Sequence, residues 1–334
     1  MIRVAILGAS GFVGAELLRL LDAHPHFYAS KLFGDSQAGQ SLEAVHPHLA
    51  LAYSGATVEA YAPDALDGVD LVFAALPHGK SQQVAPAIIE CGIAFVDLGA
   101  DFRLNDPGEY LRWYKEEHNA PHLLDRFVYG IPELHRAAIA GSRTVAAAGC
   151  YPTAAILALR PLLPLIEPGS IVVDAASGVT GAGKGLKEET HFNSVDENFT
   201  AYGLLSHRHT AEMEMELGGD GILFTPHLAP MNRGILATCH AKAKRPCDPL
   251  AALREAYSDE PFVHVSERPP STKWTLGSNA VHLTARHDER TGRILAIAAL
   301  DNLVKGAAGQ MIQCANLMLG LDETSGLPRV GVWP

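Results

Sequence analysis

One cysteine of the chain stands where a strand pattern gives way to a helix pattern. In the segment VAAAGCYPT, Cys150 follows the apolar run 144–148 and Gly149, and it stands two residues before Pro152, which suits a first helical turn. A thiol at a helix N-terminus lies at the positive end of the helix dipole, which lowers its pKa. Because the thiolate is the nucleophilic form of cysteine, Cys150 is the candidate nucleophile.

A nucleophilic cysteine needs a partner that moves protons. The segment SHRHTAE, residues 206–212, concentrates two histidines, an arginine and a glutamate. We predict that His207 is the acid/base and that Glu212 orients it, with His209 as the second candidate. The other histidine pairs are expected on loops or at the surface: His24 and His26, His46 and His48, and His118 and His122.

A metal site is not predicted. The sequence has no C-x-x-C or H-E-x-x-H motif, and Cys239 and Cys247 lack a second pair at a matching spacing. Five cysteines without close pairing suit a reducing compartment rather than a disulfide framework.

A glycine-rich turn follows the first strand pattern. Residues 8–14, GASGFVG, join the strand pattern 2–7 to the helical pattern 15–23. Glycines here allow a tight turn and the close approach of a pyrophosphate, which then lies at the helix N-terminus. The turn therefore predicts a dinucleotide site. NAD and NADP both stay open, because Asp35 suits a ribose hydroxyl whereas Ser36 and Gln37 suit a 2′-phosphate.

Other polar residues follow predicted strands, at the sheet edge where α/β folds bind ligands. Arg103, in the loop 99–104, is a candidate anion ligand, and Asn302 can hydrogen-bond a nicotinamide carboxamide. The glycine-rich segment 177–184 can present backbone amides to an anion, although its residue order is not that of a P-loop.

These residues need a scaffold of two domains, because 334 residues exceed the usual size of a single hydrophobic core. Strand–helix alternation before residue 150 predicts an α/β, Rossmann-type domain with a parallel sheet. Longer strands after residue 165 predict an α+β domain with a largely antiparallel sheet. We assign 1–149 to dinucleotide binding and 150–303 to catalysis and oligomerisation. A final helix, about 304–334, is expected to pack back on the first domain.

Charge and hydropathy exclude several classes of protein. The formal net charge of −11 argues against nucleic-acid binding, which needs a basic face. No segment has the pattern of a membrane span or an export signal. The expected protein is soluble and cytoplasmic, and its expected partner is a small molecule.

A dinucleotide site combined with a thiolate indicates reduction of an acyl group to an aldehyde. The thiolate forms a thioester with the acyl group, a reduced nicotinamide supplies hydride, and a histidine moves the proton. Phosphate is a suitable leaving group for the first step, and cationic residues must then bind it.

Ordered motifs along the whole chain support a family resemblance. They are GASGFVG at 8–14, AALPHGKS at 74–81, GADFRL at 99–104, YGIPE at 129–133, AGCYPTAAILALRP at 148–161, SGVTGAGKG at 177–185, HRHTAE at 207–212 and DNLVKGAAGQ at 301–310. The chain resembles the N-acetyl-γ-glutamyl-phosphate reductases of the longer bacterial type, in the semialdehyde dehydrogenase-like superfamily.

The resemblance implies NADPH-dependent reduction of an acyl phosphate to a semialdehyde in arginine biosynthesis, by a homo-oligomer. It implies that Cys150 is the nucleophile, with His207 or His209 as the acid/base. The implied NADP contacts are Gly8, Ala9, Ser10, Gly11, Phe12, Val13, Ser36, Leu76, Pro77, His78, Gly79, Ser177, Gly178 and Asn302. The implied ligands of the substrate's anionic groups are Arg103, Lys184, Arg208 and Arg233.

Two positions depart from the family pattern. Ala148 replaces a common proline, and Asp35 stands where many relatives carry Ser or Arg, which bears on the choice between NADP and NAD. Two alternative functions stay open from the sequence. One is a related reductase acting on a carrier-bound aminoadipyl phosphate in lysine biosynthesis. The other is a non-catalytic dinucleotide sensor, which would need neither Cys150 nor His207.

Overall fold

The computed structural model describes residues 1–219 and 221–333 and divides into two compact units. The first unit contains Met1–Ala148 and Ala307–Leu327. The second contains Gly149–Gly306 and the segment that starts at Pro328. The chain therefore changes unit immediately before Cys150 and again immediately after Gly306.

The first unit is built on a parallel sheet with the strand order β2-β1-β3-β4-β6-β5. Its strands are β1 (Ile2–Leu7), β2 (Phe27–Phe33), β3 (Leu71–Ala74), β4 (Ala94–Asp97), β5 (Val128–Gly130) and β6 (Thr144–Ala147). Its helices before β6 are α1 (Phe12–Asp22), α2 (Leu42–Val45), α3 (Ser81–Glu90), α4 (Pro107–Tyr114) and α5 (Pro132–Ala140).

The central strands of this sheet are buried along their whole length. All residues of β3, β4 and β6 are buried, as expected for parallel strands that helices cover on both faces. Since β1 pairs with β2 on one side and with β3 on the other, the strand order reverses beside β1. The predicted Rossmann-type sheet is confirmed. The carboxyl ends of its strands form the edge at which folds of this type bind ligands.

The second unit is built on a mixed sheet with the order β11-β12-β13-β10-β7-β9-β8. Its strands are β7 (Val172–Gly178), β8 (Thr200–Ala201), β9 (Leu223–Ala229), β10 (Ile235–Lys242), β11 (Val263–Val265), β12 (Val281–Asp288) and β13 (Arg293–Leu300). Its helices are α6 (Cys150–Leu159), α7 (Phe192–Val195), α8 (His209–Leu217), α9 (Pro249–Ala256) and α10 (Thr272–Thr275). β7 pairs with β9 and β11 with β12 in parallel, and the other pairs are antiparallel, so the predicted fold class is confirmed.

Short 3₁₀ turns connect these elements. They are Pro47–Leu49, Pro63–Leu66, Ala100–Phe102, Pro121–Arg126, Arg160–Leu165, Val179–Ala182 and Glu188–Thr190. No helix in residues 1–219 or 221–333 has the length and apolarity that a membrane crossing requires.

The end of the chain divides between the two units. A π-helical turn, Val304–Ala308, leads into α11 (Gly309–Met318), which packs on α5 and on β4 in the first unit. The expectation for this segment was one helical stretch packing back as far as residue 334. Residues from Pro328 instead join the second unit, where Asn279 N–H donates to the Pro328 carbonyl and Val332 N–H donates to the Leu276 carbonyl.

Three histidines expected on loops or at the surface are buried. His46 Nε2 lies 3.0 Å from the Ala9 carbonyl oxygen, and His118 Nε2 lies 2.8 Å from the Asp101 carbonyl oxygen. His24 Nδ1 accepts the N–H groups of His26 and Phe27. An imidazole both donates and accepts, so it can satisfy buried backbone groups where the chain turns.

His24 also connects α11 to the start of β2. Its Nε2 lies 3.0 Å from Asn316 Oδ1, and its ring stacks on Phe27 with centroids 4.0 Å apart. Burial lowers the pKa of His24 below 6.5, and the neighbouring His26 adds to this effect, against hydrogen bonds to Asn316 and Ser325 that raise it. The folded first unit therefore favours the neutral ring.

The first prediction concerns the pH dependence of stability. Because the folded pKa lies below the unfolded value, the contribution of neutral His24 is complete above pH 6.5 and is lost as the pH falls below it. We expect His24→Gln to lower unfolding stability by about 1–3 kcal/mol at pH 7.5, and by less at pH 5. Denaturant unfolding at both pH values measures this, with the exposed His48→Gln as control. A His24→Gln effect that is equal at both pH values would contradict the assignment.

Candidate active site

Cys150 is the first residue of α6, with Gly149 as its N-cap. From Tyr151 to Leu159 every residue of this helix is buried, and the helix packs on β10, β12 and β13 and against α8. Such a helix holds its first turn firmly. Cys150 therefore lies at the positive end of the helix dipole, where the sequence predicts it.

A buried carboxylate joins the Cys150 turn to α8. Glu212 is fully buried, and its Oε2 accepts the N–H of Gly149 at 2.9 Å. Its Oε1 lies 3.9 Å from Nε2 of His209. Residues three apart share a helix face, so His209 and Glu212 meet on α8, whereas His207 precedes the helix. Glu212 was expected to orient His207; the ion pair found is with His209.

His207 lies in an aromatic enclosure. Its ring centroid is 5.3–5.7 Å from those of Tyr151, Tyr202 and Phe224. Its Nδ1 accepts the N–H of His209 at 3.2 Å, which leaves the proton of the neutral ring on Nε2. Burial, and then the charge of Arg208, lower the pKa of His207 to about 4. His207 is therefore neutral at physiological pH.

Two tyrosines outside the predicted site residues, Tyr151 and Tyr202, surround His207. The Tyr202 hydroxyl donates to the Tyr151 hydroxyl at 3.2 Å, and Tyr151 donates to the His227 carbonyl at 2.9 Å. Burial raises the pKa of Tyr151, and it raises the pKa of Tyr202 to about 12. Both phenols therefore stay protonated. No motif pointed to Tyr202, and Tyr151 was visible only as the neighbour of Cys150.

A second cluster joins the segment after β7, the loop before β10 and Asn302. The N–H groups of Gly178, Val179 and Thr180 donate to carbonyls of the loop 231–234. Segment 177–184 was predicted to present amides to an anion, but these three are used in this pairing. Ser177 is buried and donates to the Gly178 carbonyl.

Asn302 holds this second cluster together. Its Oδ1 accepts the N–H of Gly234 at 2.7 Å, and its Nδ2 donates to the Thr180 hydroxyl at 3.0 Å. The amide keeps one further hydrogen and one further lone pair, which is enough for a ligand such as a carboxamide.

The proposed cationic ligands differ in how firmly they are held. Arg233 is one-quarter exposed, and its Nη1 lies 3.5 Å from the buried Oδ2 of Asp301. Lys184 and Arg208, also in the second unit, are exposed. Arg103, in the first unit, is buried and donates from Nη2 to the Leu98 carbonyl.

The glycine-rich turn has the geometry of a pyrophosphate site. Gly8 follows β1 with φ of +88°, and a Cβ there would overlap the carbonyl oxygen of Ala75. Gly11 caps α1 without a side-chain hydrogen bond. The turn therefore places backbone groups and the N-terminus of α1 beside β1, where the strand order reverses. This arrangement fits the phosphates of a dinucleotide.

The loop after β3 is fixed by the carboxylate of Asp101, which is not among the predicted site residues. Asp101 is fully buried and accepts the N–H groups of Gly79 and Gln82, and its Oδ1 lies 3.1 Å from His78 Nδ1. Although burial opposes it, these contacts lower the pKa of Asp101. His78 also contacts Glu116, so its ring lies between two carboxylates. Asp101 lies in the GADFRL motif, where only Arg103 was selected.

Asp35 and Ser36 lie just beyond the end of β2, and both are exposed. This is the position at which Rossmann-type folds distinguish the 2′-hydroxyl of NAD from the 2′-phosphate of NADP. Across the part of the chain described, no group of three or more His, Cys, Asp or Glu side chains has the geometry to hold a metal ion.

Two family models match the chain, one for each unit. "Semialdehyde dehydrogenase, NAD binding domain" matches residues 3–142, and "Semialdehyde dehydrogenase, dimerisation domain" matches residues 150–302.

Curated relatives match over the whole chain. An N-acetyl-gamma-glutamyl-phosphate reductase of Symbiobacterium thermophilum is 48% identical, and the alignment covers 100% of this chain and 99% of the relative. Proteins of the same name from Desulforudis audaxviator and Geobacter sulfurreducens are 47% and 44% identical, with 100% of both chains covered.

Solved structures with the same fold are aspartate semialdehyde dehydrogenases. Enzyme II of Vibrio cholerae, complexed with ASA, gives a TM-score of 0.73 at 18% identity and covers 96% of this chain and 98% of its own. The Candida albicans enzyme with NADP gives 0.64 at 16% identity, with the same coverage. At these identities the likeness shows the fold, while the reductase relatives show the family.

The second prediction concerns cofactor preference. Removing the carboxylate of Asp35 removes a negative charge at the position expected for the 2′-phosphate. We expect Asp35→Ser to raise the ratio of kcat/KM for NADPH to that for NADH about tenfold, roughly 1.4 kcal/mol. Steady-state kinetics with both cofactors measure this ratio. The exposed Asp67→Ser removes the same charge elsewhere and should leave the ratio unchanged; equal effects of the two variants would disprove the role of Asp35.

Proposed function

Because the chain belongs to the N-acetyl-gamma-glutamyl-phosphate reductase family, we propose that it reduces N-acetyl-γ-glutamyl phosphate, with NADPH, to N-acetylglutamate 5-semialdehyde and phosphate. This places the reaction in arginine biosynthesis. The observation that carries the proposal is Cys150 at the start of a buried helix, with Glu212 connecting its N-cap to His209.

The first step is acyl transfer to Cys150. The thiolate attacks the acyl carbon, the bond from that carbon to the phosphate oxygen breaks, and phosphate leaves with the electron pair. The product is a thioester on Cys150. Arg103, Lys184, Arg208 and Arg233 are the proposed ligands of the phosphate and carboxylate groups. Arg233 suits this role because Asp301 fixes its guanidinium while part of the side chain stays exposed.

The second step reduces the thioester. When bound, NADPH supplies the hydride. His209 protonates the oxygen of the resulting thiohemiacetal and takes the proton back as the carbon–sulfur bond breaks, which releases the aldehyde and the thiolate. The proposed cofactor contacts are Gly8, Ala9, Ser10, Gly11, Phe12, Val13, Ser36, Leu76, Pro77, His78, Gly79, Ser177, Gly178 and Asn302.

We assign the acid/base role to His209 rather than to His207. An acid/base must exchange a proton during the reaction, and His209 faces the Glu212 carboxylate, whose Oε1 lies 3.9 Å from His209 Nε2. His207 has the opposite environment, since burial and Arg208 disfavour its charged form. We propose that His207 lines the site as a neutral ring. Its Nδ1 accepts the N–H of His209 and so fixes the backbone at that residue.

The third prediction separates the two histidines. In the assay for phosphate-dependent reduction of NADP by N-acetylglutamate semialdehyde, His209→Asn should lower kcat by about 10²–10⁴-fold, the usual contribution of general acid–base catalysis. His207→Asn should lower it less and should keep the shape of the pH profile. Steady-state rates from pH 5 to 9 measure both.

Cys150→Ser is the test of the function itself and should remove turnover. Comparable turnover in Cys150→Ser would disprove the covalent mechanism, whichever histidine acts. A larger loss in His207→Asn than in His209→Asn would reverse the assignment of the histidines and leave the function intact.

We place the reaction in the cytoplasm. The mechanism needs a reduced thiol and a reduced nicotinamide, and a reducing compartment maintains both. All five cysteines lie within the described residues, and none of them is in a disulfide.

We propose that the chain forms a homodimer through the mixed sheet of the second unit. Helices α6 and α9 cover one face of this sheet. On the opposite face, rows of half-buried side chains run across neighbouring strands in register: Val172, His240 and Leu295, and then Asp174, Thr238 and Ile297. Val172, Leu295 and Ile297 are the apolar residues of this face, and a second copy of the chain covers them symmetrically.

The fourth prediction concerns this dimer. Ile297→Lys places a charge in the centre of the proposed interface and should convert the dimer to a monomer at micromolar concentration. Light scattering coupled to size-exclusion chromatography measures the mass. Leu51→Lys, on a fully exposed residue of the first unit, is the control and should remain dimeric. A monomeric parent protein, or a dimeric Ile297→Lys, would contradict the proposal.

A further inference from the structure

The π-helical turn Val304–Ala308 follows directly from the end of β13. Its characteristic bond runs from the N–H of Gly306 to the carbonyl of Asp301, five residues earlier, at 2.9 Å. The Asp301 carboxylate closes the start of the turn, because its Oδ1 accepts the N–H groups of Leu303 at 2.8 Å and Val304 at 3.3 Å. Turns of this type occur frequently at functional sites.

Gly306 packs directly on the proposed nucleophile. A Cβ built on Gly306 would lie 2.7 Å from Cβ of Cys150 and 3.3 Å from its Cα. The same atom would lie 3.3 Å from Cδ1 of Leu300. The glycine backbone therefore occupies the space beside the Cys150 side chain, and no other residue type fits there unless the turn or the cysteine moves.

The turn has little freedom to move. Besides the two N–H groups above, the fully buried Asp301 carboxylate accepts the N–H of Gly277 at 2.7 Å and pairs with Arg233. Displacing the turn would break bonds to a buried charge, which is costly. On the other side, Cys150 is the first residue of a rigid helix. A side chain at position 306 therefore displaces the thiol.

We propose that Gly306 is a positioning residue for Cys150, and that the Asp301-capped π turn fixes where the sulfur lies. This inference rests on the proposed function, in which Cys150 is the nucleophile. It extends that function by adding an element distant in sequence that determines the reactivity of the thiol. The Asp301 carboxylate that caps the π turn also pairs with Arg233, a proposed ligand of the substrate phosphate. The same residue therefore contacts both the turn beside Cys150 and this arginine.

The kinetic test compares Gly306→Ala with Gly141→Ala. A Cβ at Gly141 has only ordinary contacts, the nearest at 3.6 Å, so this variant is the matched control. Because a misplacement of about 1 Å can cost 10²-fold, we expect Gly306→Ala to lower kcat by about that factor while the Kd for NADP stays within twofold. The rate at which iodoacetamide alkylates Cys150, measured on the peptide that contains it, should fall together with kcat. The exposed Cys91, followed in the same digest by mass spectrometry, should react at an unchanged rate.

A double-mutant cycle tests the contact independently of activity. Cys150→Gly removes the Cβ that a side chain at position 306 would meet. Gly306→Ala should therefore lower the melting temperature of the parent protein but lower it at most half as much in the Cys150→Gly background. Equal losses in both backgrounds, or unchanged kcat and alkylation in Gly306→Ala, would overturn the proposal. Coupling in the cycle together with full turnover of Cys150→Ser would instead preserve the contact and overturn the proposed function.

Discussion

The reactive centre of the second unit depends on the buried carboxylate of Glu212. Because a buried charge is costly unless it is paired, Glu212 needs its contacts when the unit folds, among them the N–H of Gly149 at one oxygen and His209 facing the other. One residue thereby fixes the backbone in front of the nucleophile and the charge environment of the proton carrier. Asp301 and Asp101 have similar roles at the π turn and at the loop after β3.

Local patterns predicted much of this scaffold. The strand β1 was predicted with the bounds that the structure has, Ile2–Leu7, because a buried parallel strand is a continuous apolar run ended by glycine. The largely antiparallel sheet of the second unit was predicted from the longer strand patterns after residue 165. The start of α6 at Cys150 agrees with the expectation from Pro152, which suits a first helical turn. The sequence did not show that the N-cap residue Gly149 donates its N–H to the Glu212 carboxylate on α8.

What the sequence could not supply are contacts between residues distant along the chain. The choice between His207 and His209 depends on which ring meets Glu212 and which lies among Tyr151, Tyr202 and Phe224. The sequence spacing makes both histidines candidates for the acid/base and does not favour one over the other. The strand β9 was not predicted because Pro226 interrupts its pattern, and β5 is too short to show one. The carboxylates of Asp101 and Asp301 lay in motifs whose neighbours had the more obvious functional chemistry.

The contact between Gly306 and Cys150 has a consequence for biosynthesis of the protein. The ribosome makes Cys150 before it makes β13 and the π turn. The thiol therefore emerges before the contact with Gly306 can form. Closing that contact must wait for a loop that spans most of the second unit, which makes it a late event in folding. A chain that is interrupted before residue 306 can contain the nucleophile, both histidines and Glu212 and still lack a correctly positioned sulfur. The position of the sulfur is therefore fixed only after residue 306 has been made.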